Sequence, residues 1–257
     1  MAPEPLFTLY AYLKYFIKAK GAHGLHSPFL FELYNQVIVP SKRKPNAQIE
    51  SLRNELLANK NTIRHVDFKS GRVAQRPISH LAANSLSTPR FSSFLVRLCE
   101  FLSCSSVLET GTNLGINALY LSTAATVKKV STLEGNPELT TLARQLAHQV
   151  GSTNITFTTG LLADTFEKLV HEAKPELVFL DADHRSAALD TCIQTLIPHF
   201  PSIQAIVIHD IYWSRDMHVY WNSLVNDPRI PLTVDIFQAG ILFPQVNMEK
   251  QHFTIKF

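Results

Sequence analysis

The chain has 257 residues, of which 46% are hydrophobic and 18% are charged, and its formal net charge is +3. This composition excludes an intrinsically disordered chain and indicates a globular protein with a sizeable core. The length accommodates one large α/β domain, or one domain of ordinary size with an appendage.

The charge is unevenly distributed along the chain. Residues 1–76 hold 12 Lys/Arg against 5 Asp/Glu, whereas the remainder holds 12 against 16. A basic segment on a slightly acidic body is compatible with an anionic partner such as nucleic acid. The basic residues are scattered rather than clustered, however, so a solvated helical face is the favoured interpretation.

Cysteine usage and targeting signals bear on the compartment. Cys99, Cys104 and Cys192 stand in apolar surroundings at spacings that fit no metal motif, and they predict reduced core thiols in a cytoplasmic protein. The N-terminus lacks the pattern of a signal peptide. No membrane span is expected, because the apolar run from Leu6 to Ile17 is short and Lys14 interrupts it.

The first 92 residues are predicted to form a helical N-terminal extension. Six apolar residues recur at helical spacing and predict a first helix: Leu6, Leu9, Tyr10, Leu13, Phe16 and Ile17. We expect this helix to dock on the body of the protein, and a helix lying in a membrane interface is the less favoured alternative. A second helix is expected after Ser27, with Pro28 in its first turn, and a third within residues 46–60.

The segment 67–76 is polar and basic and contains glycine, which predicts a loop. This loop serves either as a linker or as a lid over the site. As a lid, it would bring Arg72 and Arg76 to an acidic acceptor.

From residue 93 onward, short apolar runs alternate with amphipathic stretches. Five runs are each followed by a helical pattern, at residues 106–109, 129–133, 155–158, 177–180 and 205–208, and further β runs follow at 232–237, 241–243 and 252–257. Successive β–α units predict a parallel sheet with right-handed crossovers and helices on both faces. We therefore predict a Rossmann-like, doubly wound, mostly parallel α/β domain over 93–257, with a seven-stranded sheet whose C-terminal strand is antiparallel.

Polar residues and glycines follow all five of these predicted strands. They occupy residues 109–115, 134–136, 160–162, 181–184 and 209–213. Ligands of open parallel sheets bind beyond the carboxyl ends of the strands. The sequence therefore predicts a site at this edge.

The loop after the first strand of the domain has an unusual glycine spacing. Gly111 and Gly115 are separated by three residues and preceded by Glu109, which makes a poor cradle for the pyrophosphate of a dinucleotide. A carboxylate at this place suits a ligand with a cationic amino group and a sulfonium. Glu134 follows Gly115 by 19 residues, at the end of the next strand, where a carboxylate can accept ribose hydroxyls.

This loop, Glu134 and the strand order together resemble the class I S-adenosylmethionine-dependent methyltransferases. The Glu109–Gly115 loop is most similar to the Glu-x-Gly-Thr-x-x-Gly loop of the catechol O-methyltransferase branch, and the resemblance covers residues 93–257. The chain also resembles a group of bacterial proteins known only as methyltransferases. The features shared with that group lie at residues 23–29, 209–214 and 251–253.

The resemblance implies S-adenosylmethionine as cofactor and assigns residues to its parts. Glu109 and the loop of Gly111, Thr112 and Gly115 would hold the methionine part, and Glu134 the ribose. Asp181 would lie near both donor and acceptor. Gly160 and Leu161 would lie beside adenine, although leucine replaces the acidic residue often found there.

The resemblance also raises the question of a metal. Catechol-type enzymes bind a divalent cation through an Asp after the fourth strand and an Asp-Asn pair after the fifth. Asp181 and Asp210 match two of these positions, but Ile211 replaces the Asn, so we expect no obligatory metal. His184 or His209 would make such a site more like one for a transition metal.

The sequence also proposes residues for the chemistry. Methyl transfer to a hydroxyl is helped by a base, for which Asp210 is preferred over His209 and His184. Tyr212 and Trp213 are expected to wall an aromatic acceptor, with a core position as an equal alternative for Trp213 and as the favoured one for Trp221.

The favoured function is methylation of an oxygen or nitrogen of a small molecule. One alternative is an RNA methyltransferase that uses the basic N-terminal region. Another is a protein that binds the donor but has lost catalysis, because Ile211 and Leu161 depart from the family pattern. The sequence does not identify the acceptor, and it allows a homodimer.

Overall fold

The computed structural model describes residues 4–25, 27–42, 45–67 and 71–257, without the side chains of residues 23, 67 and 72. The sequence-based predictions for His26 and for the side chains of His23 and Arg72 therefore lie outside the described part. Two strands, β1 (Thr62–Asp67) and β2 (Arg72–Pro77), form a separate antiparallel hairpin. The central sheet contains the strands β3 (Ser106–Thr110), β4 (Lys129–Glu134), β5 (Ile155–Thr159), β6 (Leu177–Leu180), β7 (Ala205–His209), β8 (Leu232–Asp235), β9 (Ala239–Phe243) and β10 (Gln251–Thr254).

The central sheet confirms the predicted mostly parallel α/β fold. Its described strands follow the order β10-β8-β9-β7-β6-β3-β4-β5, and β9 alone runs against its neighbours. The sheet has eight strands rather than the predicted seven, and its antiparallel strand is β9 rather than the C-terminal strand, because β10 pairs in parallel with β8 at the edge. Half-exposed, polar Gln251–Thr254 gave a weaker signal than the continuously apolar inner strands, whose two faces are both covered.

The helices are α1 (Pro5–Lys18), α2 (Pro28–Leu33), α3 (Ala47–Ala58), α4 (Ile78–Ser85), α5 (Pro89–Phe101), α6 (Ile116–Ser122), α7 (Pro137–Gln149), α8 (Leu162–Ala173), α9 (Ser186–Leu196) and α10 (Arg215–Asn226). A π-helical turn, Tyr34–Ile38, continues α2. Side-chain caps explain several starts. Asn136 accepts from the Glu138 amide before α7, and Ser214 accepts from the Met217 amide before α10. Ser27 and Pro28 occupy the predicted first positions of α2.

Residues 67–76 belong mostly to the β1–β2 hairpin, so the prediction of a loop was wrong. The described side chains of β2 are exposed, so the segment shows no alternation of buried and exposed residues to indicate a strand. The hairpin is anchored on α7. The Arg64 amide donates to Glu138 Oε2 at 2.6 Å, and Asn136 Nδ2 donates to the Arg64 carbonyl at 2.9 Å.

The N-terminal segment shares a hydrophobic core with the sheet. Leu30, Leu33 and Val37 pack in the same buried cluster as residues of α5 and of strands β3, β4 and β7. The predicted division at residue 92 falls inside α5. A separate N-terminal unit over 1–92 thus remains a proposal.

The opposite face of the sheet is covered by α8, α9 and α10. Trp221 is fully buried there, as predicted, and it packs directly over Gly240 of β9, where an added Cβ would lie 2.4 Å from the indole ring. All three cysteines lie in the described residues and are buried free thiols.

Helix α1 docks on the body, but through a different face from the expected one. Ala11 and Tyr15 are buried, whereas the six periodic apolar residues from Leu6 to Ile17 point outward and are exposed. The apolar period identifies a face of the helix, but it does not say whether that face meets the protein. Among the described helices, none is long and apolar enough to cross a membrane.

Candidate active site

A cleft of about 750 Å³ lies at the carboxyl edge of the parallel strands. It is lined by the loops that follow β3, β4, β5, β6 and β7, the five strand ends at which the sequence predicted a site. Its volume falls in the range of small-molecule pockets. Residues 84–87, between α4 and α5, complete one wall.

The glycines of the first loop are required by the protein's own packing. Gly111 has φ +84°, and a Cβ there would lie 2.5 Å from the Asp181 carbonyl oxygen. Gly115 has φ +80°, and its Cβ would lie 2.8 Å from the Ala143 Cβ. The sequence argument attributed these glycines to a bound ligand. In the structure they let the loop lie against the end of β6 and against α7.

Glu109 lies beneath the loop. It is completely buried, and the described lining of the cleft does not include it. Its Oε2 accepts a hydrogen bond of 2.6 Å from Thr132 Oγ1, which is 2.6 Å from Thr112 Oγ1. Its Oε1 has no hydrogen-bond partner among the described residues. Burial raises the pKa of Glu109 to about 8, with further raising by the charges of Asp181 and Glu134 and lowering by the Thr132 hydrogen bond.

Glu109→Gln is expected to weaken the pH dependence of stability. The folded pKa of about 8 lies above the ordinary 4.5, so the folded protein binds more protons than the unfolded chain between these values. Stability is therefore lost as the pH rises from 4.5 through 8. Urea unfolding of both proteins at pH 5 and 6.5 should show the variant gaining about 2 kcal/mol relative to wild type over this interval. If the two proteins differ in free energy of unfolding by the same amount at both pH values, the pKa of Glu109 is not raised.

Glu134 stands on the cleft wall with both oxygens fixed by the backbone. Oε2 accepts from the Asn113 amide at 2.8 Å, and Oε1 accepts from the Asn136 amide at 2.9 Å. Burial raises the pKa of Glu134, and these backbone amides lower it. A carboxylate oxygen has a second lone pair, so each can accept one more hydrogen bond from a ligand.

The adenine-side residues follow β5. Gly160 and Leu161 both line the cleft, and the Gly160 amide donates to the Glu134 carbonyl at 2.9 Å. Leu161 is 44% exposed at the start of α8. It therefore presents an apolar surface where the family pattern has an acidic residue.

Three residues proposed for the acceptor side, Asp181, His209 and Asp210, come together at the ends of β6 and β7. His209 Nδ1 lies 2.9 Å from Asp181 Oδ1 and 3.6 Å from Asp210 Oδ2. Both contacts are ion pairs when the imidazole is protonated. Burial lowers the pKa of His209, but the charge and close approach of Asp181 and the charge of Asp210 raise it further, to about 9. The imidazole is therefore cationic at neutral pH.

Asp210 adopts a left-handed backbone conformation, with φ 56°. Its amide donates to the Gln238 carbonyl at 2.8 Å, and its carbonyl accepts from the Trp213 amide at 2.9 Å. Such a conformation costs about 1–3 kcal/mol in a residue other than glycine, and this kind of strain is common at functional sites. The turn leaves the Asp210 side chain 31% exposed, with Oδ2 3.9 Å from His184 Nε2.

Of the two aromatic residues expected to wall the acceptor, Trp213 lines the cleft. Its ring centroid lies 5.0 Å from that of His184. Tyr212 is absent from the described lining. Its hydroxyl donates to Asp235 Oδ2 at 2.6 Å, and this buried carboxylate needs such a donor. The Tyr212 ring stacks on Phe237.

Sequence reasoning missed the wall formed by residues 84–87. Ser87 Oγ accepts from Asn117 Nδ2 at 3.0 Å, which ties this wall to the helix that follows the glycine loop. The Thr88-Pro89 pair signals the start of α5, but no sequence signal indicates which edge of the sheet the preceding residues reach. The hairpin, expected as a lid or linker, contributes none of the described lining residues.

The position of Ile211 bears on the metal question. Ile211 is fully buried in the core beneath α10, where the metal-dependent pattern has an Asn ligand. In the described part of the chain, no three His, Cys, Asp or Glu side chains are grouped in a way that could hold a metal ion.

Known proteins were compared with both the sequence and the structure. No family model matches the sequence, and no curated protein is significantly similar to it. Solved structures do match. A methyltransferase of Podospora anserina bound to S-adenosylhomocysteine aligns with a TM-score of 0.59 at 16% identity, over 85% of this chain and 98% of that one. The chain shares the fold of this methyltransferase.

Two further solved structures share this fold. The Bacillus cereus O-methyltransferase, in complex with S-adenosylhomocysteine, aligns with a TM-score of 0.55 at 16% identity, over 81% of this chain and 95% of that chain. The Streptomyces achromogenes O-methyltransferase TomG, in complex with S-adenosylmethionine, aligns with a TM-score of 0.57 at 12% identity, over 81% and 94%. At these identities the likeness concerns the fold.

Proposed function

We propose that this protein is an S-adenosylmethionine-dependent methyltransferase acting on an oxygen, or a nitrogen, of a small molecule. One observation carries the proposal. A single cleft is lined by Gly111, Glu134 and Gly160, which follow β3, β4 and β5, and by the cluster of Asp181, His209 and Asp210 at the ends of the neighbouring strands β6 and β7. Three proteins of the same fold were solved with the methyl donor or its product bound, which supports this assignment.

The charge of the cleft fits a cationic donor. Four carboxylates belong to the described lining, and its arginine, Arg185, is ion-paired with Asp183. Asn113, which lines the cleft, has a side-chain oxygen that is buried and lacks a partner among the described residues, and an ammonium group supplies a donor for it. A pyrophosphate would face these same groups with unfavourable charge.

The proposed division of labour follows the roles that the family resemblance implies. The donor supplies a methyl group already activated on a sulfonium. Glu134 holds the ribose hydroxyls, and Gly160 and Leu161 flank the adenine. Because alignment supplies much of the rate, the rigid backbone grip on Glu134 contributes directly to catalysis.

The acceptor side needs a base and a stabilising charge. Asp210 takes the proton of the acceptor hydroxyl, since its carboxylate is reachable from solvent and lies beside two imidazoles. The His209 cation stabilises the negative charge that develops on the acceptor oxygen, and Asp181 holds His209 in place. We also propose that the reaction needs no divalent metal, which methyl transfer in the presence of EDTA would test.

Glu134→Gln is expected to weaken S-adenosylhomocysteine binding about 10- to 100-fold, because a charge-assisted hydrogen bond is worth about 1.5–3 kcal/mol. Isothermal titration calorimetry measures this effect. Glu138→Gln is the matched control, since that carboxylate lies on α7 and accepts from the Arg64 amide of the hairpin. The control should keep wild-type affinity.

The same titration tests the proposal as a whole. A folded wild-type protein that shows no binding at high micromolar S-adenosylhomocysteine would refute it. Equal affinities for wild type and Glu134→Gln would refute only the role of Glu134. Binding without turnover across a broad panel of phenols and amines would favour a donor-binding protein that has lost catalysis.

A further inference from the structure

Helix α1 presents a continuous apolar surface to solvent, here called the outer face. It consists of side chains that are 55% to 85% exposed: Leu6, Leu9, Tyr10, Leu13, Phe16 and Ile17. Their spacing of three and four residues forms one stripe along a helix of 14 residues, about 21 Å long. Single exposed apolar residues are ordinary, but a contiguous patch of this kind marks an interaction site.

The orientation of α1 is fixed by specific contacts on its other side. Tyr15 Oη donates to the Ile255 carbonyl at 2.6 Å and accepts from the Phe257 amide at 3.0 Å. Thr8 Oγ1 donates to the Tyr212 carbonyl at 3.1 Å. The inner face is therefore satisfied by the body of the protein, and the outer face is left for another partner.

The rim of the outer face is basic on both sides. Lys14 Nζ lies 4.5 Å from the centre of the Tyr10 ring, and Lys256 Nζ lies 5.2 Å from that of Phe16. Residues 14 and 16 point to nearly opposite sides of the helix, so these two lysines flank the stripe. Glu4, at the start of the helix, is ion-paired with Arg215 at 3.3 Å.

We propose that the outer face of α1 docks on a membrane surface that contains anionic lipids. An apolar stripe bordered by lysines is the arrangement of a helix that lies in the lipid interface, and α1 is too short to cross a bilayer. The lysines then meet lipid phosphates and carboxylates, which attract basic side chains near the surface. This inference does not depend on the proposed methyltransferase function.

A second copy of the chain is a poorer occupant for two reasons. Pairing α1 with its symmetry mate would bring two basic rims together. A contact confined to one helix of this length also falls short of the roughly 800 Å² per partner of a stable interface. Charge and area thus both favour a lipid surface.

The N-terminal end of α1 also contacts a residue that lines the cleft. The Glu4 amide donates to the Trp213 carbonyl at 3.2 Å, and Trp213 lines the acceptor side. The segment that begins the membrane-facing helix is therefore hydrogen-bonded to a residue of the cleft. Docking would place the acceptor side of the protein close to the lipid surface.

The test is co-sedimentation of the full chain with vesicles of phosphatidylcholine alone and with 30% phosphatidylserine, a composition chosen as about that of an anionic leaflet. Wild type should sediment with the anionic vesicles and bind the neutral ones more weakly. Leu6→Gln/Leu13→Gln/Ile17→Gln should reduce binding at least about tenfold. Lys14→Gln/Lys256→Gln should reduce anionic binding about 30-fold and leave neutral binding unchanged.

The matched control is Leu57→Gln/Val73→Gln/Val219→Gln, which removes three exposed apolar side chains elsewhere on the surface. It should sediment like wild type. All variants alter exposed residues, and circular dichroism verifies that they fold. The proposal is overturned if wild type ignores anionic vesicles, or if the α1 variants bind as wild type does. It is equally overturned if sedimentation shows a dimer that the α1 variant breaks while vesicles retain nothing.

Discussion

Gly111→Ala is expected to destabilise the protein by about 2–4 kcal/mol and to lower S-adenosylhomocysteine affinity by at least about 100-fold. The added methyl would lie 2.5 Å from the Asp181 carbonyl oxygen, at a residue whose φ is +84°. Because both groups in this contact are backbone-bound, the loop or the end of β6 must move. Either movement displaces the residues proposed to bind the donor relative to Asp181.

Gly151→Ala separates this clash from backbone strain. Gly151 also has a positive φ, +72°, but among the described residues no atom lies within 4 Å of the position that an added methyl would take. The control should lose only about 1–2 kcal/mol, the cost of a left-handed conformation, and should keep its affinity for the ligand. Chemical denaturation and calorimetry measure the two effects. If Gly111→Ala behaves like Gly151→Ala, close packing of the loop does not matter for binding.

Asp181→Asn is expected to give the second large effect. Removing this charge lets burial dominate, so the pKa of His209 should fall from about 9 toward or below its ordinary 6.5. The imidazole would then be neutral at pH 7.5 and would no longer stabilise an anionic acceptor oxygen. Methyl transfer should fall about 100-fold or more at that pH, the size expected for loss of one electrostatic stabiliser.

The same substitution has a readout that is independent of the acceptor. A histidine whose folded pKa is raised stabilises the protein below its unfolded pKa of 6.5, and this stability is lost as the pH rises through about 9. Wild type should therefore lose up to about 3 kcal/mol over this interval, and Asp181→Asn should lose much less. NMR titration of His209 gives the pKa directly.

Asp190→Asn controls for the loss of a carboxylate. That side chain lies on α9 and accepts a hydrogen bond of 2.8 Å from Tyr220 Oη, away from the cleft. Its variant should leave the titration of His209 unchanged. If His209 titrates near 9 in Asp181→Asn as well, Asp210 alone holds the cation, and the positioning role of Asp181 is wrong.

The central sheet was predictable because its strands carry an unambiguous signal. Buried runs such as Leu177–Leu180 alternate with amphipathic helices, and the polar residues that follow them must gather at one edge. Glu134 and Asp181 could thus be assigned to one cleft without coordinates. The hydrogen-bond donors to Glu134 could not be predicted, because the Asn113 and Asn136 amides reach it through the direction of the backbone.

The peripheral elements were harder to predict because local pattern leaves their surroundings undefined. The β1–β2 hairpin is exposed and polar, so it lacks the alternation that identifies a half-buried strand. Helix α1 has a clear apolar period, but Ala11 and Tyr15 rather than the apolar stripe meet the protein. Residues 84–87 reach the cleft only through the packing of α4 against α3 and β2 and of α5 against the sheet.

The contact between Trp221 and Gly240 constrains how the two positions can evolve. An added Cβ at residue 240 would meet the indole at 2.4 Å, so the two residues cannot change size independently. Selection therefore acts on them as one unit: a larger residue on β9 becomes tolerable only after the tryptophan on α10 has shrunk. Relatives that share this sheet should divide into lineages by the pair they inherited, with few intermediates between them.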